Sequence, residues 1–247
     1  MNKSLISGIL FCLCSLQLSA DGTDTIVPDR PGFSTGTYTV QPGRLNVEVG
    51  YDYTYNNTTN TQTMPLAVLR TGISEDLEFD FMWDGIYIEK SSSSEIQYSK
   101  IVTVGGKYRL IENDTYNISL MGLIGVPTDT SNSKNMEYFA GLLWDYAYSD
   151  FLSFFGTLQS TSYKDNNLRV YDIELAIGSS FVHTDKLSTF LEIYTIQPQQ
   201  EQIEKEDFMD GGVMYLISKN IQIDMNIGLG LNSHSDNYIG AGVAIQF

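Results

Sequence analysis

From residue 43 onward the chain alternates between apolar and polar positions. In "RLNVEVGYDYTY", Leu45, Val47, Val49, Tyr51, Tyr53 and Tyr55 share one parity, and Asn46, Glu48, Gly50, Asp52 and Thr54 take the other. "DLEFDFMWD" sets Leu77, Phe79, Phe81 and Trp83 against Glu78, Asp80, Met82 and Asp84. "NIQIDMNIGLGLN" sets Ile221, Ile223, Met225, Ile227, Leu229 and Leu231 against Gln222, Asp224, Asn226, Gly228 and Gly230. The last stretch, "DNYIGAGVAIQF", ends with Ile239, Ala241, Val243, Ile245 and Phe247 at every second position. A period of two is the signature of a β-strand with one apolar face. Carboxylates lie inside these alternations, and not only at their ends.

The pattern predicts twelve strands, at about 43–55, 64–73, 76–88, 100–110, 115–126, 136–148, 151–162, 168–182, 186–196, 208–217, 220–231 and 237–247. Every second junction is short: "ISEDL", "IENDTY", "YSDFL", "HTDKL", "ISKNI". Ser, Asp and Asn favour such turns because their side chains hydrogen-bond the local backbone. The junctions between them are longer and more polar, among them "NNTTNTQT", "KSSSSEIQYS", "PTDTSNSKN", "YKDNN", "QPQQEQIEKED" and "NSHSDN". Short turns on one side and long loops on the other match bacterial outer-membrane barrels, whose short turns are periplasmic. An even strand number puts both termini on that side.

A soluble two-layer sandwich would show the same alternation. Strand length, the leader described next and the terminal Phe247 favour a closed transmembrane antiparallel up-and-down barrel. Lipid offers no partner to a free strand edge, so the last strand must pair with the first. An aromatic last residue preceded by apolar alternate positions resembles the signal that the barrel-assembly machinery reads, with Phe247 as its key residue. Aromatics near strand ends, including Tyr51, Tyr53, Tyr138, Trp144, Tyr148 and Phe151, suit the headgroup level. The alternative makes them ordinary core aromatics of a sandwich, and the barrel reading is preferred.

The first twenty of the 247 residues, "MNKSLISGILFCLCSLQLSA", read as a secretory signal peptide: Lys3 is its one charge, and Ser19-Ala20 offers a small-residue cleavage site. Residues 21–42 then form an N-terminal segment, periplasmic or lumenal, and 43–247 form the barrel. Cys12 and Cys14 both fall in the leader, so the mature chain would hold no thiol. Without Lys3, 13 Lys and Arg face 30 Asp and Glu, a net charge of −17. Such a surface repels phosphate, and nucleic acid is not an expected partner. Outer-membrane lipid and a small solute are.

The segment "DRPGFSTGTYTVQPGRLNVEVGY", residues 29–51, is too rich in Gly, Pro and Thr to be one long strand. It resembles the opening of a family of outer-membrane transporters named after the meta-pathway of phenol degradation. Asp29, Arg30, Pro31, Pro42, Gly43, Glu48, Gly50 and Tyr51 stand at the matching places. The resemblance implies passage of small, often aromatic, molecules. It carries over no catalytic residue.

By parity, Glu48, Asp52, Glu78, Asp80, Asp84, Asp172, Glu174, Glu192 and Asp224 are expected to line the lumen, with Arg70, Lys107 and Arg109 as inward cations. Rings of carboxylates attract cations, so the pore is expected to prefer cationic or neutral solutes. The alternative is a salt-bridged plug that does not conduct. Asp29 and Arg30 are candidates for a constriction, with Arg30 pairing to lumenal carboxylates such as Glu48, Asp80 or Asp172. The other reading makes their turn a mere positioner of the first strand.

Two further functions remain open. A structural or adhesive barrel would use its long loops, "QPQQEQIEKED" above all. A lipid-modifying enzyme would need a histidine beside a serine. His183 falls in a predicted periplasmic turn, and His234 sits among Ser233, Ser235 and Asp236 in a polar loop. No phosphate loop, metal-ligand spacing or cofactor fingerprint is present, and neither cofactor nor enzymatic activity is expected.

Overall fold

The structure, a computed structural model, describes residues 25–56, 59–90, 94–128, 136–165, 168–200 and 203–247. The predicted leader, with Cys12 and Cys14, lies outside the described residues. Fourteen strands form one antiparallel sheet. They are β1 (Leu45–Tyr55), β2 (Asn60–Ser74), β3 (Leu77–Trp83), β4 (Ile86–Lys90), β5 (Ser94–Tyr98), β6 (Ile101–Ile111), β7 (Tyr116–Pro127), β8 (Glu137–Ala147), β9 (Leu152–Asp165), β10 (Leu168–Val182), β11 (Leu187–Pro198), β12 (Glu206–Ser218), β13 (Ile221–Gly230) and β14 (Asn237–Gln246).

The sheet closes because β1 pairs with both β2 and β14. The β1–β14 register runs from Asn46 opposite Gln246 to Tyr55 opposite Asn237. At its end the Phe247 N–H donates to Leu45 O at 2.9 Å, and the Leu45 N–H donates to Phe247 O at 3.2 Å. The terminal strand and its phenylalanine thus complete the seam. Both ends of the barrel chain lie at the short-turn rim.

β4 and β5 are not staves of their own. β2 pairs with β3 through Ala67–Ser74 and with β4 through Asn60–Met64, so β3 and β4 are two halves of one stave. Leaving the β4–β5 hairpin aside, the fourteen strands make a ring of twelve. The predicted strand 76–88 is broken at Asp84-Gly85. Gly85 has φ +62°, and a Cβ there would lie 2.5 Å from Met64 O, so only glycine fits the kink. The serine-rich stretch after Lys90, read as loop, contributes β5 in its second half. Asp84 itself stands at the kink, exposed to solvent, where its carboxylate accepts from the Tyr87 hydroxyl at 3.4 Å.

The exposure pattern separates a membrane barrel from a sandwich. On β10, β11 and β13 the apolar Leu175, Ile177, Ile193, Met225 and Ile227 are 50–57% exposed, whereas the inward Glu174, Glu192, Asp224 and Asn226 are 7% exposed or less. A sandwich would bury the former and wet the latter. Exposed aromatic side chains collect towards the two rims: Tyr108, Tyr116, Tyr146, Tyr148, Phe151 and Tyr215 near the short turns, and Tyr98, Tyr138 and Tyr171 near the long loops. Those are the levels at which an amphipathic ring is most stable in a bilayer.

Ile193 lies midway along β11 on the outward row. Ile193→Arg is expected to destabilise the barrel by about 2–4 kcal/mol. Reversible urea unfolding in lipid vesicles measures this, and an unchanged midpoint would mean that the side chain does not face hydrocarbon.

Candidate functional site

Residues 25–43 enter the barrel interior and form no strand, apart from a single bridge between Pro42 and Gly72. Their backbone N–H and C=O groups must therefore find partners elsewhere, and inward side chains supply them. Glu48 accepts from the N–H of Asp29 at 3.1 Å and of Arg30 at 3.2 Å. Glu192 accepts from Phe33 at 3.0 Å and Ser34 at 3.1 Å, and Glu78 accepts from Val40 at 2.6 Å. On the carbonyl side, Arg70 donates to Val27 O and Tyr38 O, both at 3.0 Å, and Lys107 donates to Tyr38 O at 3.1 Å. Asn226 donates to Pro31 O at 3.0 Å, and the Ser119 hydroxyl donates to Thr37 O at 2.6 Å. The Thr37 hydroxyl donates to Asp145.

The segment is traced by these contacts. It enters beside the β12–β13 turn, where the Ile26 N–H donates to Lys219 O at 2.8 Å. It rises past β1 and β13, reaches β11 at Phe33, returns along β7 and β8, and descends beside β3 to the start of β1. The sequence offers no periodic cue to this course because the segment has no regular backbone.

A buried ion cluster pins its base. The Arg70 guanidinium lies 3.0 Å from Glu78, 3.2 Å from Glu48 and 3.2 Å from Asp29. The Lys107 ammonium lies 2.9 Å from Asp29 and 3.2 Å from Glu78. Arg70 suits this role because its planar fork bonds carboxylates and carbonyls together. Asp80 adjoins the cluster, fully buried, and no hydrogen-bond donor reaches either of its carboxylate oxygens among the described residues. Arg109 sits apart at the short-turn rim, 3.0 Å from Glu112 and 3.4 Å from Asp76.

Arg30 pairs with a carboxylate of the inward row, but with Asp224, at 3.4 Å, and not with Glu48, Asp80 or Asp172. The glycines of the wall explain this. A Cβ at Gly50 would lie 2.2 Å from Arg30 Nη1, and one at Gly242 would lie 2.4 Å from its Nε. The two residues are register partners across the β1–β14 seam and leave a slot for the guanidinium. Glu48 is already engaged by Arg70 and two backbone donors. Asp29, by contrast, turns towards Arg70 and Lys107, so the two neighbours grip the wall on either side of β1.

The remaining predicted residues lie nearer the long loops. Asp52 is half-buried on β1, close to Asn226 across Gly240. Asp172 and Glu174 are buried on β10, and Glu174 accepts from Gln159 at 2.8 Å and from the Thr161 hydroxyl. An aromatic group that the sequence reading missed faces them: Phe33, Tyr194, Phe208 and Tyr238, with Asp210 beside it. Tyr194, Phe208 and Asp210 obey the same inward parity as the acids, and that was the available signal. A cavity of about 660 Å³ remains between the segment and the far wall, lined by Thr37, Asn117, Trp144, Asp145, Phe155 and Phe190 among others.

Arg70→Met would leave Glu78 with Lys107 alone and Glu48 with no ion-pair partner among the described residues. A loss of about 3–5 kcal/mol is expected, as for removing one partner of a buried ion pair. The unfolding free energy in vesicles reads it, and a loss below about 1 kcal/mol would mean that the cluster is solvated. Gly242→Val would fill the slot and expel the guanidinium. Its single-channel conductance is expected to exceed that of the parent, and an identical value would mean that the Arg30 clasp does not restrict the lumen.

Comparison with known proteins agrees with this architecture. A sequence search matched no curated protein. Among solved structures, an outer-membrane channel from Pseudomonas putida F1 is similar with a TM-score of 0.65 at 10% identity, over 88% of this chain and 99% of that one. The NanC porin matches at TM-score 0.58 and 10% identity, over 81% of this chain and 98% of its own. The KdgM porin matches at 0.56 and 13%, over 81% and 99%. These similarities establish the fold, and the apolar belt makes it a membrane-spanning barrel. The family model described as "Putative MetA-pathway of phenol degradation" matches residues 28–247, and the chain belongs to that family.

Proposed function

We propose that this barrel lets small solutes cross the outer membrane passively, and that it prefers cationic and neutral compounds to anions. The observation that carries this is the composition of the inward face. Among the described residues it buries eight carboxylates, Glu48, Glu78, Asp80, Asp172, Glu174, Glu192, Asp210 and Asp224, against three cations, Arg70, Lys107 and Arg109. Acid rings in a narrow, low-dielectric lumen concentrate cations. Residues 25–42 act as the constriction, and the cavity beside them offers a route past it. Both termini lie in the periplasm, and Phe247 serves as the assembly signal.

Diffusion needs no covalent chemistry, and the barrel is not an enzyme. The Ser235 hydroxyl donates to Asn232 Oδ1 at 2.9 Å and not to His234, whose own N–H donates to the same Asn232 oxygen. His183 contacts Thr189 at the opposite rim. The ion cluster at Arg70 favours a second reading, a barrel closed at rest that serves only structure.

Planar-bilayer recording under a salt gradient tests the first reading. The reversal potential is expected to show cation selectivity, and Asp172→Asn combined with Glu174→Gln is expected to shift it towards zero. Deleting residues 25–41 is expected to raise the conductance. Anion selectivity would overturn the charge preference, and a deletion variant that stays silent would leave only the structural barrel.

A further inference from the structure

Inside the half of the barrel nearer the long loops, four rings form a continuous stack. Three belong to the wall: Tyr194 on β11, Phe208 on β12 and Tyr238 on β14. Tyr194 and Phe208 stack with centroids 4.7 Å apart, and Phe208 and Tyr238 are tilted at 6.3 Å. The fourth ring, Phe33, comes from the irregular segment. It lies on the free face of Tyr194 at 4.1 Å, with an interplanar angle of 3°. Parallel stacking is one of the favoured arrangements of aromatic rings, and the wall pair Tyr194–Phe208 shows it as well. A parallel, close ring with no strand of its own is how a planar ligand would sit on this wall.

Polar groups converge at the same place. The Tyr194 hydroxyl donates to the Tyr238 oxygen at 3.1 Å, and the Tyr238 hydroxyl donates to Asp210 Oδ2 at 3.1 Å. Asp210 is 2% exposed, and no hydrogen-bond donor reaches its Oδ1 among the described residues. Glu192 is the register partner of Asp210. Among the described residues neither forms an ion pair; the inward cations are committed to Asp29, Glu48, Glu78 and Asp224, or held at the rim. Two neighbouring buried carboxylates are satisfied either by sharing a proton or by a cation or strong donor, and an incoming cation would take the proton's place.

We propose that Phe33 is a built-in stand-in for a solute. The face of Tyr194, with Phe208, Asp210 and Glu192, is a subsite for a planar aromatic compound carrying a cationic, hydrogen-bond-donating group, such as an aralkylammonium ion. The solute binds by displacing the Phe33 ring. Displacement also removes the Phe33 and Ser34 N–H groups from Glu192, which frees that carboxylate for the incoming cation and loosens the segment from β11. The solute class rests on the reading of the chain as a channel, but occupancy of the subsite is measurable without any transport.

Isothermal titration of the full barrel in detergent micelles tests it, with tyramine, phenol and 4-hydroxybenzoate as probes. Tyramine is expected to bind saturably, phenol more weakly, and 4-hydroxybenzoate not at all. Phe33→Ala is expected to tighten tyramine binding about tenfold, because a competing stack is removed. Tyr194→Leu is expected to abolish it. Asp210→Asn, nearly isosteric, is expected to erase the advantage of tyramine over phenol. A heat-modifiable gel shift verifies that each variant is folded; should Tyr194→Leu not fold, Phe33→Trp replaces it, with weaker binding expected. Unchanged or weaker binding in Phe33→Ala overturns the proposal, as does the absence of tyramine binding in both parent and Phe33→Ala. Equal binding of 4-hydroxybenzoate overturns the assigned charge. Ion conductance of the same preparations separates the two readings: binding without conductance sinks the channel and keeps the subsite, and conductance without binding does the reverse.

Discussion

Everything in this molecule follows from the cost of an unpaired backbone amide in hydrocarbon. Each such group costs several kcal/mol, so a sheet in lipid cannot keep an edge. The chain meets this demand at one seam, β1 against β14, which runs without interruption to the reciprocal bonds between Phe247 and Leu45. Closure decides the rest. It turns the apolar face of every stave outward and the polar face inward. It also creates an interior that twelve staves are too many to fill with wall side chains alone and too few to leave widely open.

The interior answers with a second solution to the same problem. A segment rich in Gly, Pro and Thr cannot join the ladder, so its backbone is satisfied one group at a time by Glu48, Glu78, Glu192, Arg70, Lys107 and Asn226. These side chains need partners as much as the segment does. A carboxylate removed from water must regain its hydrogen bonds, and an irregular strand of unpaired N–H groups is a source of them. The acids that a sequence reader would assign to ion selectivity therefore have two duties. Glu48, Glu78 and Glu192 hold the segment, whereas Asp80, Asp172, Asp210 and Asp224 each keep an acceptor that no donor reaches among the described residues.

Parity made much of this legible. The alternation in "NIQIDMNIGLGLN" already separates Asp224 and Asn226 from Ile223, Met225 and Ile227, and the burial of each follows it. The junction chemistry likewise revealed the number of staves and the short-turn rim. What parity could not reveal lies where backbone regularity stops. The break at Gly85 depends on a positive φ beside Met64, and a lone glycine in an alternating run does not announce one. The partner of Arg30 depends on two glycines, Gly50 and Gly242, which are distant in sequence and adjacent only across the seam. Phe33 belongs to no period at all, so its place on Tyr194 could be found only in three dimensions.

The clasps on the N-terminal segment are distributed along almost the whole chain. Glu48 and Arg70 leave the ribosome soon after the segment, whereas Glu192, Asp224 and Asn226 come near the end. Long sequence separation slows the formation of contacts, so the segment cannot acquire its full set of partners until the final hairpins arrive. The N-terminal segment is thus locked in by the C-terminal hairpins, and its full set of bonds waits on their arrival.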